Sequence, residues 1–457
     1  MTSLLGKVIP GQKVFGPELP DYDELQNCLR CGRCLTVCPT YQETLLETDS
    51  PRGRLSLLRA VEDGKLPLSE GVLDHLYNCL DCRACNTVCP LSLPIGELIL
   101  KGRAAYSARY GRPLWQRISV DTFLNSARSL EWVMAPARIY RKLRLHKIVR
   151  PILRFLGEKI PAFRTLYEME TLLPEDLPSK PLHKAIPETL PAYGERKYRV
   201  GFFLGCMMSQ VLADVSQSSI ELLRRLGCEV VVPKDQVCCG APHEDQGNKP
   251  KARELARTNI RVFEKFEGLD VIVSDCAACS GMLKEYRELL SEDEEFARRA
   301  EAFSAKVLDV SQFLAQLLPG APSSPPNDSC ARCTLATYHS PCHLGNAQGV
   351  LEEPKSVVRS LPQVKLVPLK DETKCCGSAG IYNITHIETS RALLREKVDN
   401  IVATGAGIVV TGNPGCMLQI QKGLRERGVD IEVKHLTQIT LEKLKLDREE
   451  QKDGSDP

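Results

Sequence analysis

The spacing of apolar residues changes character along the chain. Between residues 51 and 77, apolar side chains recur every three or four positions in two blocks, which predicts two amphipathic helices. Ser50–Pro51 and Ser69 are the N-cap signals expected where these helices begin. From residue 198 onward, short apolar runs such as VGFFL, VIVS and GIVVTG alternate with helical stretches, which predicts parallel α/β structure.

This alternation of strands and helices occurs twice, and each copy carries cysteines directly after its strands. Matched cysteines of the two copies lie 136, 137, 137 and 140 residues apart, which indicates an internal duplication. The carboxyl ends of parallel strands meet at one edge of a sheet, so we expect each cysteine set to converge there. The first set is Cys206, Cys238, Cys239, Cys276 and Cys279, and the second is Cys342, Cys375, Cys376 and Cys416.

Two further cysteine runs, NCLRCGRCLTVCP and NCLDCRACNTVCP, begin 51 residues apart near the N-terminus. Each follows the C-x2-C-x2-C-x3-C-P pattern that binds two 4Fe–4S clusters in bacterial ferredoxins, where the fourth cysteine of a run ligates the other cluster. Zinc is the alternative, but zinc sites more often use separated C-x2-C pairs. The predicted ligands are therefore Cys28, Cys31, Cys34 and Cys89 for cluster I, and Cys79, Cys82, Cys85 and Cys38 for cluster II.

The segment between these runs is long and helical, unlike the short strand-containing link of compact ferredoxins. It resembles the helical ferredoxin domain of succinate dehydrogenases. The later cysteine pattern resembles the "CCG" domain found in the cysteine-rich chain of heterodisulfide reductase. The combined order is similar to the glycolate oxidase iron–sulfur subunit and its D-lactate dehydrogenase relatives, and local phrases support that branch: CPTYQET, DSPRGRLSLL, CCGSAGIYNITH and TGNPGCMLQI. The corresponding iron–sulfur chain of anaerobic glycerol-3-phosphate dehydrogenase shares the order but fits DSPRGRLSLL less well.

The resemblance implies an α+β multidomain fold, in which an α-helical bis-4Fe–4S ferredoxin domain precedes two tandem duplicated α/β CCG domains with parallel sheets. The expected divisions are an N-terminal extension (1–20), the ferredoxin domain (21–110), a basic helical connector (111–195), CCG domain 1 (196–318), a Pro/Ser-rich linker (319–335), CCG domain 2 (336–446) and a disordered tail (447–457).

The two CCG cysteine sets differ at one position. Gln419 stands where the first repeat has Cys279. The resemblance to heterodisulfide reductase implies that the five-thiol set holds a non-cubane 4Fe–4S redox cluster, while four thiols suffice for a cubane. We therefore expect one or two further clusters in these domains, with different chemistry if both sites are filled.

Composition and charge bear on the class of ligand and on the cellular compartment. The chain of 457 residues has a formal net charge of only +2, so it lacks the strong positive charge that would indicate nucleic-acid binding. No long apolar run or signal-peptide pattern is found, which favours the cytoplasm. Disulfides do not persist there, so twenty cysteines favour metal ligation.

Residues 101–165 are strongly basic, with fifteen Lys or Arg against three Asp or Glu. Three interpretations remain open for this segment: peripheral contact with an anionic membrane, contact with an acidic partner subunit, or a connector that wraps the CCG core.

For several other residues with chemically active side chains, a structural role is predicted. Cys228 is predicted to be a buried core thiol, and the isolated pair Cys330 and Cys333 lacks partners for a zinc site. His343 and His243 are interpreted as hydrogen-bonding or core histidines. For Arg52 and Arg54 the default prediction is a helix surface, and the alternatives are that they balance cluster charge or dock a partner.

No dinucleotide-binding GxGxxG, P-loop or Ser–His–Asp signature is found, so the chain alone lacks a two-electron cofactor site. The predicted function is an iron–sulfur electron-transfer subunit. The resemblance supplies its partners: an FAD subunit that oxidises glycolate or D-lactate, a second flavin-fold subunit in some systems, and a quinone or other acceptor. The alternative function is a heterodisulfide-reductase-like thiol/disulfide oxidoreductase that uses the CCG cluster as its active site.

Overall fold

A computed structural model describes residues 22–114, 117–318 and 333–453. The N-terminal domain is helical and holds both C-x2-C-x2-C-x3-C-P runs. Ser50 caps the third helix, since its side chain accepts a hydrogen bond from the Gly53 backbone, and Pro51 occupies the first helical position, as predicted. The helices are α1 (Tyr22–Gln26), α2 (Pro39–Thr44), α3 (Pro51–Glu62), α4 (Glu70–Tyr77), α5 (Ala84–Thr87) and α6 (Ile95–Tyr110), with 3-10 turns at Arg33–Leu35 and Glu47–Asp49.

The connector is also helical. A π-helical turn (Arg117–Phe123) leads into α7 (Ala127–Lys142), α8 (His146–Gly157), α9 (Pro161–Leu172) and α10 (Leu182–Ala185). Leu130 and Met134 of α7 are buried in the core of the first α/β unit, so this part of the connector wraps that unit.

The first α/β unit has a five-stranded sheet in the order β1-β3-β2-β4-β5, parallel except for the β1–β3 pair. Its apolar strand residues point into a packed core, which is the reason for the near-continuous apolar runs in the sequence. The elements are β1 (Thr189–Leu190), β2 (Tyr198–Phe202), α11 (Cys206–Gln210), α12 (Ala213–Arg225), β3 (Cys228–Val231), α13 (Ala241–Asp245), α14 (Lys249–Glu264), β4 (Val271–Ser274), α15 (Ala277–Leu289), α16 (Ala297–Ala305), β5 (Val307–Asp309) and α17 (Val310–Leu317).

The second α/β unit repeats this architecture with a four-stranded, wholly parallel sheet in the order β7-β6-β8-β9. One hydrophobic core is continuous across both units and includes Val273 of the first and Val410 of the second. The elements are β6 (Thr334–Tyr338), α18 (Cys342–Gln348), α19 (Glu352–Arg359), β7 (Val364–Val367), α20 (Tyr382–Thr385), α21 (Ile387–Ala403), β8 (Ile408–Thr411), α22 (Pro414–Arg427), β9 (Glu432–His435) and α23 (Leu436–Asp453).

The predicted fold class is confirmed, but three boundaries differ from the sequence-based expectation. The connector contributes the antiparallel edge strand β1 to the first sheet. Strand β6 begins at Thr334, inside the predicted linker, and α23 continues through residues 447–453, which were expected to be disordered. The predicted extension (1–20), most of the linker and the last four residues lie outside the described residues.

Candidate metal centres

The first N-terminal cysteine set surrounds a small cleft. Cys28, Cys31, Cys34 and Cys89 all line it, although Cys89 comes from the second run. Arg30 and Gly32 have positive φ, which curls the backbone around the cleft, and Cys31 is exposed. The structure thus brings together the four thiols predicted for cluster I, a group we call ferredoxin site I.

The thiols of the second N-terminal set are more deeply buried than those of the first. Burial, followed by the neighbouring Cys82, Cys79, Cys38 and Cys34 thiols, raises the pKa of Cys85 well above its ordinary value. Cys79, Cys82, Cys85 and Cys38 therefore cluster together, as predicted for cluster II, and we call them ferredoxin site II. Asp81 and Arg83 repeat the positive φ of Arg30 and Gly32, so the two loops share one geometry.

Buried arginines surround ferredoxin site II. Arg103 donates hydrogen bonds to the carbonyls of Leu76 and Cys79 and forms an ion pair with Asp245 of the first α/β unit. Arg54 is only 1% exposed and bonds the His75 carbonyl, so the prediction of a surface position for this residue is wrong. These positive charges favour an anionic cluster at the site.

The first α/β unit joins its five thiols in series at the carboxyl edge of its sheet. The neighbouring thiols in this series are Cys206 and Cys238, Cys238 and Cys239, Cys239 and Cys279, and Cys279 and Cys276. Hydrogen bonds from Cys238 and Cys279 lower the pKa of Cys239 to about 6. We call this set CCG site 1; its five sulfur donors suit an iron–sulfur cluster.

The second unit forms the equivalent set, CCG site 2, from Cys342, Cys375, Cys376 and Cys416, whose thiols are neighbours in that order. Gln419 occupies the position of Cys279 but faces other groups: its amide donates to Ser390 Oγ at 3.0 Å and accepts from Asn383 at 3.3 Å. The fifth sulfur of the first unit therefore has no sulfur counterpart in the second.

His339 lies beside CCG site 2, and sequence reasoning did not single it out. A ring nitrogen of His339 and the sulfurs of Cys376 and Cys416 all lie within 4.8 Å of one another. Burial, followed by the nearby Lys397, lowers the pKa of His339 well below its ordinary value, so the imidazole is neutral. The Glu372 backbone lies near the ring and opposes this pKa shift, without reaching hydrogen-bond geometry. The sequence feature that could have indicated His339 as a ligand is its position at a strand end, three residues before Cys342.

Asn413 connects the two CCG sites. Its side-chain oxygen accepts hydrogen bonds from the Cys276 thiol at 3.6 Å and the Ala278 backbone at 3.3 Å. Its amide nitrogen lies 3.6 Å from the sulfur of Cys416 and donates to it. One side chain thus contacts a thiol of each site.

Ferredoxin site II adjoins CCG site 2. Burial, followed by the Cys342 thiol, raises the pKa of Cys82 well above its ordinary value, and Cys82 packs with Cys375 in one apolar cluster. His343 bonds the Asp81 carbonyl at 3.0 Å, and Asn346 donates to the Cys82 carbonyl at 3.0 Å. The four thiol sets therefore follow the order ferredoxin site I, ferredoxin site II, CCG site 2, CCG site 1.

Among the described residues, the remaining candidates are not members of the thiol sets, although Arg52 lines the cleft of ferredoxin site I. Cys228 is buried on β3 within the core, and Cys330 lies outside the described residues while Cys333 directly precedes β6. His243 bonds Asn125 of the connector at 3.2 Å, and Arg52 pairs with Glu47 at 2.6 Å. None of these side chains belongs to a thiol set in the described part of the chain.

Family models match the three regions of the chain that contain these thiols. A family described as "4Fe-4S dicluster domain" matches residues 24–93, and one described as "Cysteine-rich domain" matches residues 200–284 and 336–421. The probable glycolate oxidase iron–sulfur subunit of Bacillus subtilis is 36% identical and covers 93% of this chain and 95% of its own length. The chain belongs to the glycolate oxidase iron–sulfur subunit family.

Two further proteins are similar to this chain. The glycolate oxidase iron–sulfur subunit of Escherichia coli is 28% identical over 87% of this chain and 89% of its own length. Lactate utilization protein A of Shouchella clausii is 32% identical over 52% of this chain and 97% of its own length. The predicted family is confirmed, and this chain is an iron–sulfur electron-transfer subunit of an oxidoreductase.

Proposed function

We propose that this chain carries electrons from an FAD subunit that oxidises glycolate or D-lactate to a quinone or another carrier. The names of its relatives support this substrate class. Oxidation of the hydroxy acid to its 2-oxo acid releases two electrons and two protons to the flavin. Both electrons would then pass through this chain one at a time to the acceptor. The two protons would be released to solvent, from which a quinone acceptor takes up two.

The proposed ligands are the four thiol sets described above. Iron–sulfur clusters, when bound, supply the single-electron steps. Ferredoxin sites I and II each offer the four thiols of one cubane cluster, and the buried Arg54 and Arg103 offset negative charge beside site II. The CCG sites receive the further clusters, with five sulfur donors in the first unit and four in the second.

The observation that carries the proposal is the sequence of contacts between the sets. Cys85 packs in one apolar cluster with Cys34 of ferredoxin site I, Cys82 packs in another with Cys375 of CCG site 2, and Asn413 contacts both CCG sites. Each set is therefore next to the one that follows, an arrangement that suits stepwise electron transfer.

We place electron entry at ferredoxin site I. Cys31 is exposed there, and the exposed side chains of Leu29 and Leu91 line the same cleft. Apolar side chains around an exposed redox site fit a transient contact with a partner protein. The FAD subunit is the proposed occupant.

Removal of one thiol from ferredoxin site II tests the proposal. The chain is purified with its FAD subunit, and glycolate or D-lactate is added without oxygen. In Cys82→Ser, we expect substrate to reduce the flavin as in the unmodified complex, while reduction of a quinone analogue is abolished. Cys228→Ala is the matched control, because Cys228 belongs to no thiol set. Undiminished quinone reduction by Cys82→Ser would disprove the proposed route.

A second surface supports peripheral membrane contact. On α8, Ile148, Ile152 and Phe155 are 65%, 51% and 59% exposed along one face, and Lys147 and Arg154 flank them. This combination is typical of helices that lie on anionic bilayers. In the described parts of the chain, no helix combines the length and apolarity required to cross a membrane.

Vesicle sedimentation tests this contact. We expect the complex to bind vesicles containing phosphatidylglycerol but not purely zwitterionic ones, and the paired change Ile152→Ser with Phe155→Ser to abolish binding. Leu166→Ser on α9 is a control for general loss of exposed apolar surface. Equal sedimentation of both variants would contradict a role for the α8 face.

The thiol/disulfide oxidoreductase remains the alternative prediction. Its active site would be CCG site 1, where Cys239 has a lowered pKa. Under that hypothesis Cys279→Ser abolishes reduction of a disulfide substrate. Under the electron-transfer proposal, the unmodified complex shows no such activity.

A further inference from the structure

The second α/β unit differs from the first at the residue that follows its first matched strand. In the first unit, the Phe203 backbone N–H donates to the Val273 carbonyl at 2.8 Å, just after β2. In the second unit, the His339 N–H donates to the Val410 carbonyl at 2.9 Å, just after β6. His339 is therefore the structural equivalent of Phe203, so an imidazole stands where the first unit has a phenyl ring.

The position that loses a thiol cannot itself supply a donor. Both amide atoms of Gln419 are used in hydrogen bonds with Ser390 and Asn383. The second unit has thus lost a thiol at position 419 and gained an imidazole at position 339. Five donors remain in each unit if His339 is counted.

The environment of His339 requires a partner for its ring. The side chain is 0% exposed, and neither ring nitrogen makes a hydrogen bond with any described residue. Buried polar atoms without partners are costly and rare. Among the described residues, His339, Cys376 and Cys416 form the only group of potential metal ligands whose donor atoms all lie within 4.8 Å of one another.

We propose that His339 binds directly to iron, so that CCG site 2 holds an iron–sulfur cluster with mixed thiolate and imidazole ligation. This inference rests on the proposed presence of a cluster at that site. Imidazole is a weaker electron donor than thiolate, and its presence raises the reduction potential of iron–sulfur centres. CCG site 2 then has a higher potential than an all-thiolate version of the same site.

Isotope labelling combined with pulsed EPR tests the ligand directly. The full chain is produced with 15N-histidine, purified without oxygen and reduced with dithionite, so the FAD subunit is not needed. We expect a strong 15N hyperfine coupling from one imidazole. It should vanish in His339→Leu and in His339→Cys, and persist in His343→Gln, whose imidazole contacts the carbonyl and the carboxylate of Asp81.

A redox titration provides the second readout. His339→Cys should retain its iron and show a lower midpoint potential for one cluster, because thiolate replaces imidazole. This variant keeps a donor at position 339, so the test does not depend on the stability of His339→Leu. The inference is overturned if the nitrogen coupling survives in His339→Leu, or if the potential is unchanged in His339→Cys.

Metal analysis separates this inference from the proposed function. About eight irons per chain, with CCG site 2 empty or containing zinc, would overturn both the mixed cluster and the proposed electron-transfer route through all four thiol sets. About sixteen irons without a histidine coupling would overturn only the ligation by His339, whereas about twelve with CCG site 2 empty would also overturn the proposed route.

Discussion

The two α/β units share a backbone plan but differ in the donors that they present. Both place cysteines after matching parallel strands and in the same order around the sheet edge. The first unit presents five thiols, while the second presents four thiols and a buried imidazole. The comparison shows that the same hydrophobic pattern produces the same backbone fold in both units, whereas single residue differences at strand ends change which donor atoms each site offers.

The units also differ in their neighbours. CCG site 2 contacts ferredoxin site II through Cys82 and CCG site 1 through Asn413. CCG site 1 contacts Asn125 of the connector, whose carbonyl accepts from the Cys238 backbone at 2.7 Å. The second unit is therefore the middle of the series, and the first unit is its end.

We expect the largest effect on electron transfer when one thiol is removed from CCG site 2 and, in a separate variant, one from CCG site 1. Cys376→Ser should abolish electron delivery to both CCG sites, because CCG site 2 lies between CCG site 1 and the ferredoxin sites. Cys239→Ser should abolish only the signal of CCG site 1. EPR after reduction through the FAD subunit measures both effects. Equal loss from the two variants would break the proposed order.

The next effect concerns the bridge between the units. Asn413→Ala removes hydrogen bonds to Cys276, Ala278 and Cys416, so we expect stability to fall by about 1–3 kcal/mol. Asn413→Asp retains the acceptor for Ala278 and should lose less. Anaerobic urea denaturation measures the change, with Asn346→Ala as the control for an asparagine that bonds only the Cys82 carbonyl. A larger loss in the control would contradict the bridging role.

A smaller effect follows from restoring the pattern of the first unit in the second. Gln419→Cys removes the bonds to Ser390 and Asn383, and we expect a loss of about 1 kcal/mol. Iron content should not change, because the second unit already has five donors with His339. Iron quantification and urea midpoints measure these outcomes. A gain of iron on introducing the thiol would show that the site lacked a donor.

The smallest effect lies at the junction of the ferredoxin domain and the second unit. The Tyr382 hydroxyl donates to Asn78 Oδ1 at 2.7 Å, so Tyr382→Phe should cost about 0.5–1.5 kcal/mol. The hydroxyl of Tyr140 makes only a long contact of 3.5 Å with Glu170, and Tyr140→Phe should cost less. Thermal denaturation of both variants compares the two. The reverse ranking would contradict a contribution of this bond to the junction.

Local patterns predicted much of the fold and of the ferredoxin sites. The cap at Ser50, the helix that follows and the exchange of Cys38 and Cys89 between the two runs were all anticipated from spacing. Arg54 was misjudged because its burial arises from contacts with the His75 carbonyl and Thr40, which are distant in sequence. His339 was missed because a histidine in a strand-end phrase has no distinctive spacing of its own.

By itself, the sequence determined the family and predicted the order of domains and the membership of each thiol set, because these depend on short motifs and on a repeat that spacing reveals. Only the tertiary structure decided which sets adjoin. The packing of Cys82 against Cys375, the bridge at Asn413 and the approach of His339 to Cys376 join residues far apart in the chain. Such contacts arise when separate hydrophobic surfaces pack together, and no local pattern of residues records them.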